Sequence, residues 1–204
     1  MKAFIAKEGY ISLAVVLILL LLCWIFYSFS FLLAFLFIVF LILFRTPSIN
    51  LACVDKKAIL VPIDGRVVTL NTSFCDDLGE CIELSIKNAL YDRGSLYSPC
   101  NMYIKNISIK HGLNLCSNFK LADKLNERIH ILAKSNDYKI GFLIRANALD
   151  RRLKLDNISD TLLSGQRLSF LLNANVSLFL PLNTRLYIGL GDEIKAGSLL
   201  GYFE

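Results

Sequence analysis

The stretch ISLAVVLILLLLCWIFYSFSFLLAFLFIVFLILF, residues 11–44, contains no charged side chain. A bilayer core is about 30 Å thick, and about 20 apolar residues of helix are needed to cross it. As one straight helix, at about 1.5 Å per residue, residues 11–44 would reach roughly 50 Å. That length is too great for one crossing and slightly short for two. We therefore predict an α-helical membrane hairpin over 11–44 with its turn near 27–30, either as two full crossings or as a shallow re-entrant pair.

Positive charge flanks this apolar run on both sides. Lys2 and Lys7 lie in the basic segment 1–10, and Arg45 and Lys57 follow the run. Basic residues accumulate on the cytoplasmic side of membrane segments. This distribution predicts that both ends of the hairpin face the cytoplasm.

The rest of the chain has a soluble composition and divides into a linker, 45–58, and a domain, 59–204. Short apolar segments alternate there with turns such as Asp64-Gly65 and Gly191-Asp192, where glycine tolerates a positive φ. Helices are predicted over 121–128 and 147–155. The pattern predicts a β-rich domain, all-β or α+β, of sandwich-like architecture. Its predicted strands are 59–62, 66–70, 81–86, 101–107, 129–133, 139–144, 168–170, 176–180 and 185–187.

Composition argues against several classes of function. The net charge is +5, without a basic stripe interleaved with aromatic residues, so no nucleic-acid partner is expected. The six cysteines are scattered with no CxxC pair, and the chain has only two histidines. These features argue against a disulfide framework and against a Cys/His metal site.

Nine short motifs follow one another in a fixed order along nearly the whole chain, and together they resemble the phosphatidylserine decarboxylase family, in particular its short membrane-anchored branch. Each motif alone is weak, but their order behind an apolar N-terminal run is specific. The motifs are KEGY at 7–10, FRTP at 44–47, VPIDGRV at 61–67, YSPCNMY at 97–103, NER at 126–128, KIGF at 139–142 followed by RR at 151–152, GQRL at 165–168, FLP at 179–181 and GDEIKAG at 191–197.

The resemblance implies a protein that makes its own cofactor. In this family a backbone Gly–Ser bond is cleaved and the serine becomes an N-terminal pyruvoyl group, which acts as the electron sink for decarboxylation. An Asp–His pair activates the serine hydroxyl. Asp64 stands at the position of the family's aspartate and is the one catalytic candidate that matches the family.

The sequence departs from the family at the other reactive positions. The glycine and serine positions hold Asn173 and Ala174, and a slip of one residue would place Asn175 there instead. Alanine has no hydroxyl, so no pyruvoyl cofactor is expected at this site. The histidine position holds Tyr103, and a phenol is a weak base at neutral pH.

These departures favour a protein of phospholipid metabolism that no longer processes itself and keeps a head-group pocket near Asp64, Tyr103 and 173–175. Two alternatives stay open: an active phosphatidylserine decarboxylase that cleaves elsewhere, for example at Gly197-Ser198, and a membrane-linked structural β-protein. The expected partners are the phospholipid membrane, phosphatidylserine or another lipid head group, and a lipid-synthesis enzyme or a second copy of the chain.

The densest basic cluster is the candidate surface for lipid contact. It consists of Arg145, Arg151, Arg152 and Lys154. A solvated face explains such a cluster equally well, but an apolar run places the domain near anionic lipid. The predicted location is the cytoplasmic face of the inner membrane of a bacterium-like cell.

Overall fold

The computed structural model describes residues 4–26, 28–46, 48–53, 55, 57–75, 77–116, 121–150, 152–156 and 159–204, apart from the side chain of residue 123. The chain forms two compact units, Met1–Ser48 and Ile49–Glu204. The first unit is helical, and the second is built mainly of β-strands.

The N-terminal unit contains two apolar helices, α1 (Tyr10–Phe26) and α2 (Phe31–Leu43). Residues 28–30 separate them, within the stretch where the sequence predicts a turn; residue 27 lies outside the described residues. Ser30 ends this break, because its Oγ accepts a hydrogen bond from the backbone N–H of Leu33 at 3.5 Å. A serine in this position satisfies one of the free N–H groups of the first helical turn.

The two ends of this unit are held together by backbone contacts. The N–H of Ala6 donates to the carbonyl of Phe44 at 2.8 Å, and the N–H of Thr46 donates to that of Phe4 at 2.7 Å. Gly9 permits this approach, since a Cβ there would lie 2.4 Å from Cγ of Phe44. Among the described helices, the one spanning Lys7–Phe26 is long and apolar enough to cross a membrane.

The second unit contains thirteen strands among its described residues, arranged in three sheets. The main sheet curls and has the order β12-β2-β3-β10-β7-β6-β5-β8, beside the smaller sheets β1-β13-β11 and β4-β9. All the strand pairings are antiparallel. The strands are β1 Ala58–Leu60, β2 Gly65–Cys75, β3 Gly79–Asn88, β4 Ser95–Tyr97, β5 Met102–Lys110, β6 Arg128–Ser135, β7 Tyr138–Ala146, β8 Thr161–Leu162, β9 Arg167–Phe170, β10 Ala174–Pro181, β11 Thr184–Leu186, β12 Glu193–Ile194 and β13 Leu199–Phe203, with a one-turn helix α3 at Ala122–Leu125.

The core lies on one face of the curled sheet. Alternate residues of β6 and β7, such as Ile131 and Phe142, are fully buried, while their neighbours point to the outer face. This alternation follows from the two-residue repeat of a strand. Cys100 also lies in this core, where burial raises the pKa of its thiol to about 11, so the thiol remains protonated and unreactive at neutral pH.

The β-rich class predicted from the sequence is confirmed, and each predicted strand corresponds to an observed one. Four observed strands are not predicted from the sequence. The strands β4, β8 and β12 have three or fewer residues, which is too short for a clear alternation of apolar and polar residues. The strand β13 contains Gly201, which interrupts such an alternation. The helix predicted over 121–128 is reduced to α3.

The helix predicted over 147–155 is wrong. Leu149 has a positive φ of 68°, which a helix does not allow. Asp150 closes a turn with its N–H on the carbonyl of Asn147 at 3.1 Å, and its Oδ1 accepts from the N–H of Leu172 at 2.9 Å. These contacts with the segment before β10 replace helical hydrogen bonds.

Candidate functional site

Asp64 lies in the turn before β2, and both of its carboxylate oxygens are engaged. Oδ1 accepts a hydrogen bond from the N–H of Ala196 at 2.7 Å. Oδ2 forms an ion pair with Nε of Arg93 at 2.5 Å. Asp64 is buried, with 8% of its surface exposed. The carboxylate therefore joins the turn after β12 to the loop before β4.

Asn88 connects Asp64 to the position of the missing serine. Its Nδ2 donates to the backbone carbonyl of Asp64 at 3.0 Å, and in the sheet it stands directly opposite Ala174. The structure thus brings two of the predicted site positions, Asp64 and Ala174, to the same end of the sheet.

Ala174 begins β10 and points into the core. It is fully buried and pairs with Asn88 on one side and Ala146 on the other. The carbonyl before it, that of Asn173, accepts from the N–H of Asn147 at 3.0 Å. The side chain of Asn173 donates to the carbonyl of Ala148 at 2.7 Å. The peptide bond between Asn173 and Ala174, which occupies the position that family members cleave, is thus part of the regular hydrogen-bonded backbone at the start of β10.

Two buried polar atoms beside Ala174 have no hydrogen-bond partner among the described residues. They are Oδ1 of Asn88 and Nδ2 of Asn147. Directly opposed residues of neighbouring strands have Cβ atoms about 5 Å apart, so a hydroxyl at position 174 would reach Asn88. A buried polar atom without a partner is costly, and this pair marks the place where a polar group is missing.

Replacing Ala174 with serine should therefore cost little stability, less than about 1 kcal/mol, because the new hydroxyl can donate to Oδ1 of Asn88. The matched control is Ala133→Ser, another buried alanine on β6, whose strand neighbours are Ile104 and Ile140. That hydroxyl has no polar partner opposite it and should cost about 1–3 kcal/mol. Thermal unfolding of both full-length variants in mild detergent, followed by circular dichroism, measures the difference; equal losses would contradict the assignment.

Tyr103 does not lie with Asp64 and Ala174. It pairs with Lys134, which pairs with Lys139 at the start of β7, whereas Ala174 pairs with Ala146 at the end of β7. Lys139 and Ala146 are seven residues apart along β7, a distance of about 23 Å. Tyr103 is also half exposed. The head-group pocket predicted around all of these positions is therefore not formed with Tyr103.

One histidine, His111, lies at the same end of the sheet as Asp64 and Ala174. Nδ1 of His111 is 2.8 Å from Oε1 of the buried Glu127, whose Oε2 accepts from the N–H of Leu153 at 2.9 Å. The backbone carbonyl of Glu127 accepts from the N–H of Ala146. The NER motif at 126–128 was the only sequence signal for this pair.

The three described residues of the predicted lipid-surface cluster come from β7 and from the segment that follows it. Arg145 lies on the outer face of β7, and Arg152 lies 4.0 Å from Oε1 of Glu127. Lys154 is exposed, and Arg151 lies outside the described residues. Of the described members of this cluster, Arg145 is part of a larger basic surface.

That larger surface is a row of cations across six neighbouring strands. Successive partners in the register are Arg66, Lys87, Asn175, Arg145, Arg128 and Lys110, one from each of β2, β3, β10, β7, β6 and β5. We call the five basic members the cation row. The strand neighbours of Arg66, Lys87, Arg128 and Arg145 are buried, so these four members lie on the outer face of the sheet, and Lys110 at the end of the row is itself exposed. Like charges directly opposite one another destabilise a sheet. Anionic groups bound along the cation row would reduce this repulsion, so the row is a candidate binding surface for anions.

The cation row ends in a cleft beside Asp64. The cleft has a volume of about 540 Å³. Glu193 stands opposite Arg66 at this end of the sheet. The cleft carries charges of both signs, in the side chains of Arg66, Lys87, Lys195, Asp64, Asp92 and Glu193.

The fold and site together define a β-rich domain with an aspartate-centred end and a basic outer face. A family model described as phosphatidylserine decarboxylase matches residues 36–202. The chain belongs to the phosphatidylserine decarboxylase family, whose members act in phospholipid metabolism through a pyruvoyl group.

Bacterial relatives match over most of their length. A phosphatidylserine decarboxylase proenzyme of Polynucleobacter asymbioticus is 27% identical over 94% of this chain and 91% of its own. One of Burkholderia vietnamiensis is 27% identical over 96% of this chain and 94% of its own. One of Desulfotalea psychrophila is 27% identical over 72% and 71%. No solved structure matches the chain.

The residues present do not fit formation of the family's pyruvoyl group at positions 173 and 174. The group arises from a serine hydroxyl that attacks the preceding carbonyl, and Ala174 offers only a methyl group that is buried in the core. Together with the bacterial relatives, the apolar helix Lys7–Phe26 weakly suggests membrane association.

Proposed function

We propose that this protein is a member of the phosphatidylserine decarboxylase family that does not process itself and that binds phospholipid head groups at a membrane surface. The observation that carries the first half is the buried methyl group of Ala174 at the position of the reactive serine. Self-cleavage needs a nucleophile and a base that contact one another. Here the nucleophile is absent, and Tyr103 lies at the other end of the sheet.

Asp64, the remaining family residue, has a structural role in this proposal. Its two oxygens are occupied by Ala196 and Arg93, so neither is directed at Ala174. The carboxylate holds the end of the sheet that forms the wall of the cleft. Retention of this aspartate without the serine is thus explained by folding.

The cation row supports the second half of the proposal. Each basic residue close to an anionic membrane surface contributes about 1 kcal/mol to binding, so five residues in register form an effective contact for lipid phosphates. The apolar α1 and α2 independently favour a membrane location. The cytoplasmic side remains the side that the flanking lysines and arginines predict.

The cleft suggests which head groups fit. Phosphatidylserine carries a phosphate, a carboxylate and an ammonium group, and a binding site for it needs charges of both signs. Arg66, Lys87 and Lys195 supply the cations, and Asp92 and Glu193 supply carboxylates. We therefore favour a zwitterionic, net anionic head group over a simple anion.

Mass spectrometry of the full-length protein from mild detergent tests both halves of the proposal. The denatured mass reports cleavage, and the native mass reports bound lipid. We expect one uncleaved chain with its mass unchanged by hydroxylamine, since no carbonyl cofactor is formed, and with anionic phospholipid retained in the native spectrum. Two chains, the shorter one blocked by a pyruvoyl group, would refute the first half. A lipid-free protein that takes up no added phosphatidylserine would refute the second. The native mass also reports whether a second copy of the chain or a lipid-synthesis enzyme is bound.

One observation favours a second candidate, an active decarboxylase cleaved at Gly197-Ser198. Ser198 lies two residues from Ala196, the hydrogen-bond donor to Asp64, and Gly197 has a positive φ of 84°. The Ser198 hydroxyl, however, donates to the carbonyl of Lys195 at 2.7 Å. This candidate requires two chains in the mass spectrum of the wild-type protein and one chain in that of Ser198→Ala. The leading proposal requires one uncleaved chain from both proteins, with masses that differ only by the oxygen atom that the substitution removes.

A further inference from the structure

The outer face of the sheet brings three metal-ligating side chains together. They are Cys75 at the end of β2, Asp77 in the turn that follows, and His130 in the middle of β6. One potential ligand atom from each, a thiol sulfur, a carboxylate oxygen and an imidazole nitrogen, lie within 4.8 Å of one another. All three residues are outside the Asp64 end of the sheet, and neither the proposed function nor the family motifs use them.

The hairpin of β2 and β3 carries two of these ligands to the third. The two strands pair from Arg66 with Lys87 out to Cys75 with Gly79, while β10 pairs with β3 only as far as Cys81. The tip therefore extends past β10 and contacts β7. A Cβ on Gly141 would lie 2.9 Å from Cδ1 of Leu78, so the absence of a side chain on β7 lets the tip come close.

His130 is directed toward this tip by the register of β6. Its neighbours Ile129 and Ile131 are fully buried, and successive strand residues point to opposite faces. Its imidazole therefore lies on the outer face, where it is only partly exposed. Within the described part of the chain, no protein hydrogen bond is formed by the imidazole of His130 or by the thiol of Cys75, which is free.

We propose that Cys75, Asp77 and His130 bind a divalent transition metal ion of the zinc class. Thiolate and imidazole ligands select zinc or cobalt over magnesium and calcium, which prefer oxygen ligands alone. In a tetrahedral site with bonds of about 2.0–2.3 Å, ligand atoms lie about 3.3–3.8 Å apart, so a small movement of the exposed turn closes the site. Three protein ligands leave a fourth position for water, and the ion ties the hairpin tip to β6.

Cobalt titration of the full-length protein in mild detergent, after treatment with a chelator, tests this site. We expect one equivalent of Co²⁺ to produce a thiolate-to-cobalt charge-transfer band and the strong visible bands of four-coordinate cobalt, both removed by added Zn²⁺. Cys75→Ser should abolish the charge-transfer band. His130→Gln and Asp77→Asn should weaken binding by at least about tenfold, since even loss of an outer-shell partner costs about 10–100-fold.

Cys116→Ser is the matched control, because Cys116 is exposed and outside the site, and it should leave the titration unchanged. Asp77 is exposed on a turn, so Asp77→Asn keeps the fold and serves as the test even where Cys75→Ser does not fold. Equal affinity in the wild-type protein and Asp77→Asn, a six-coordinate spectrum without a thiolate band, or loss of the band in Cys116→Ser would each overturn the proposal.

Discussion

Replacing Lys87, Arg128 and Arg145 with glutamine is expected to weaken binding of phosphatidylserine by about 100-fold. The three side chains are central members of the cation row, on β3, β6 and β7. At about 1 kcal/mol for each cation near an anionic surface, their loss removes about 3 kcal/mol of binding free energy. The measurement is calorimetric titration of short-chain phosphatidylserine into the full-length protein in a neutral detergent.

A matched triple variant separates the cation row from net charge. Lys105, Lys124 and Lys139 are exposed cations outside the row, and their replacement with glutamine changes the net charge equally. This control should bind within about threefold of the wild-type protein, because charges beyond about one Debye length are screened at physiological ionic strength. Equal weakening by both triple variants, or none by either, would show that the row is not the binding surface. Circular dichroism verifies that both variants are folded.

Asp64→Ala is expected to lower the free energy of unfolding by about 3 kcal/mol. The change leaves the N–H of Ala196 without its acceptor and the guanidinium of Arg93 without its partner. Breaking a buried ion pair by removing one member costs about 3–5 kcal/mol. The lower end applies because the Arg93 side chain is 27% exposed and water can solvate it. Thermal unfolding of the full-length chain in detergent measures the loss.

Two further variants define the cause of this loss. Asp64→Asn retains an acceptor for Ala196 but loses the ion pair, and should cost about half as much as Asp64→Ala. Asp137→Ala removes a carboxylate that is 98% exposed and pairs with Lys134 on the surface, where such pairs contribute about 0–1 kcal/mol. Should Asp64→Ala prove as stable as Asp137→Ala, Asp64 has no structural role, and its presence would then need a functional explanation.

Local features were predicted correctly wherever the physical cause is itself local. The apolar run 11–44 has the composition of α1 and α2, and the alternation of β6 and β7 is visible in the sequence because a strand repeats every two residues. The missing hydroxyl at Ala174 is equally local, since no fold can supply it. The helix prediction for 147–155 is wrong because hydrogen bonds from Leu172 and Asn173 hold this segment in a turn, despite its helical sequence pattern.

Strand register decided the rest of the site. The resemblance groups Tyr103 with Asp64 because both stand at reactive positions of the family, yet the pairing of Tyr103 with Lys134 places it at the opposite end of the sheet. The partly unpaired Asn88 beside Ala174, and the pair of His111 with Glu127, depend on which strands are neighbours. No short-range pattern carries this information, because the partners are far apart along the chain.

The sequence alone determined the apolar helices, the β-rich class, the family and the loss of the reactive serine, because each depends on residue type and short-range order. Tertiary structure alone decided that five cations from five strands form one row, that Asp64 is engaged by Ala196 and Arg93, and that Cys75 and Asp77 meet His130. The physical reason is that side chains from distant segments become neighbours only when hydrogen bonding between strands sets their register.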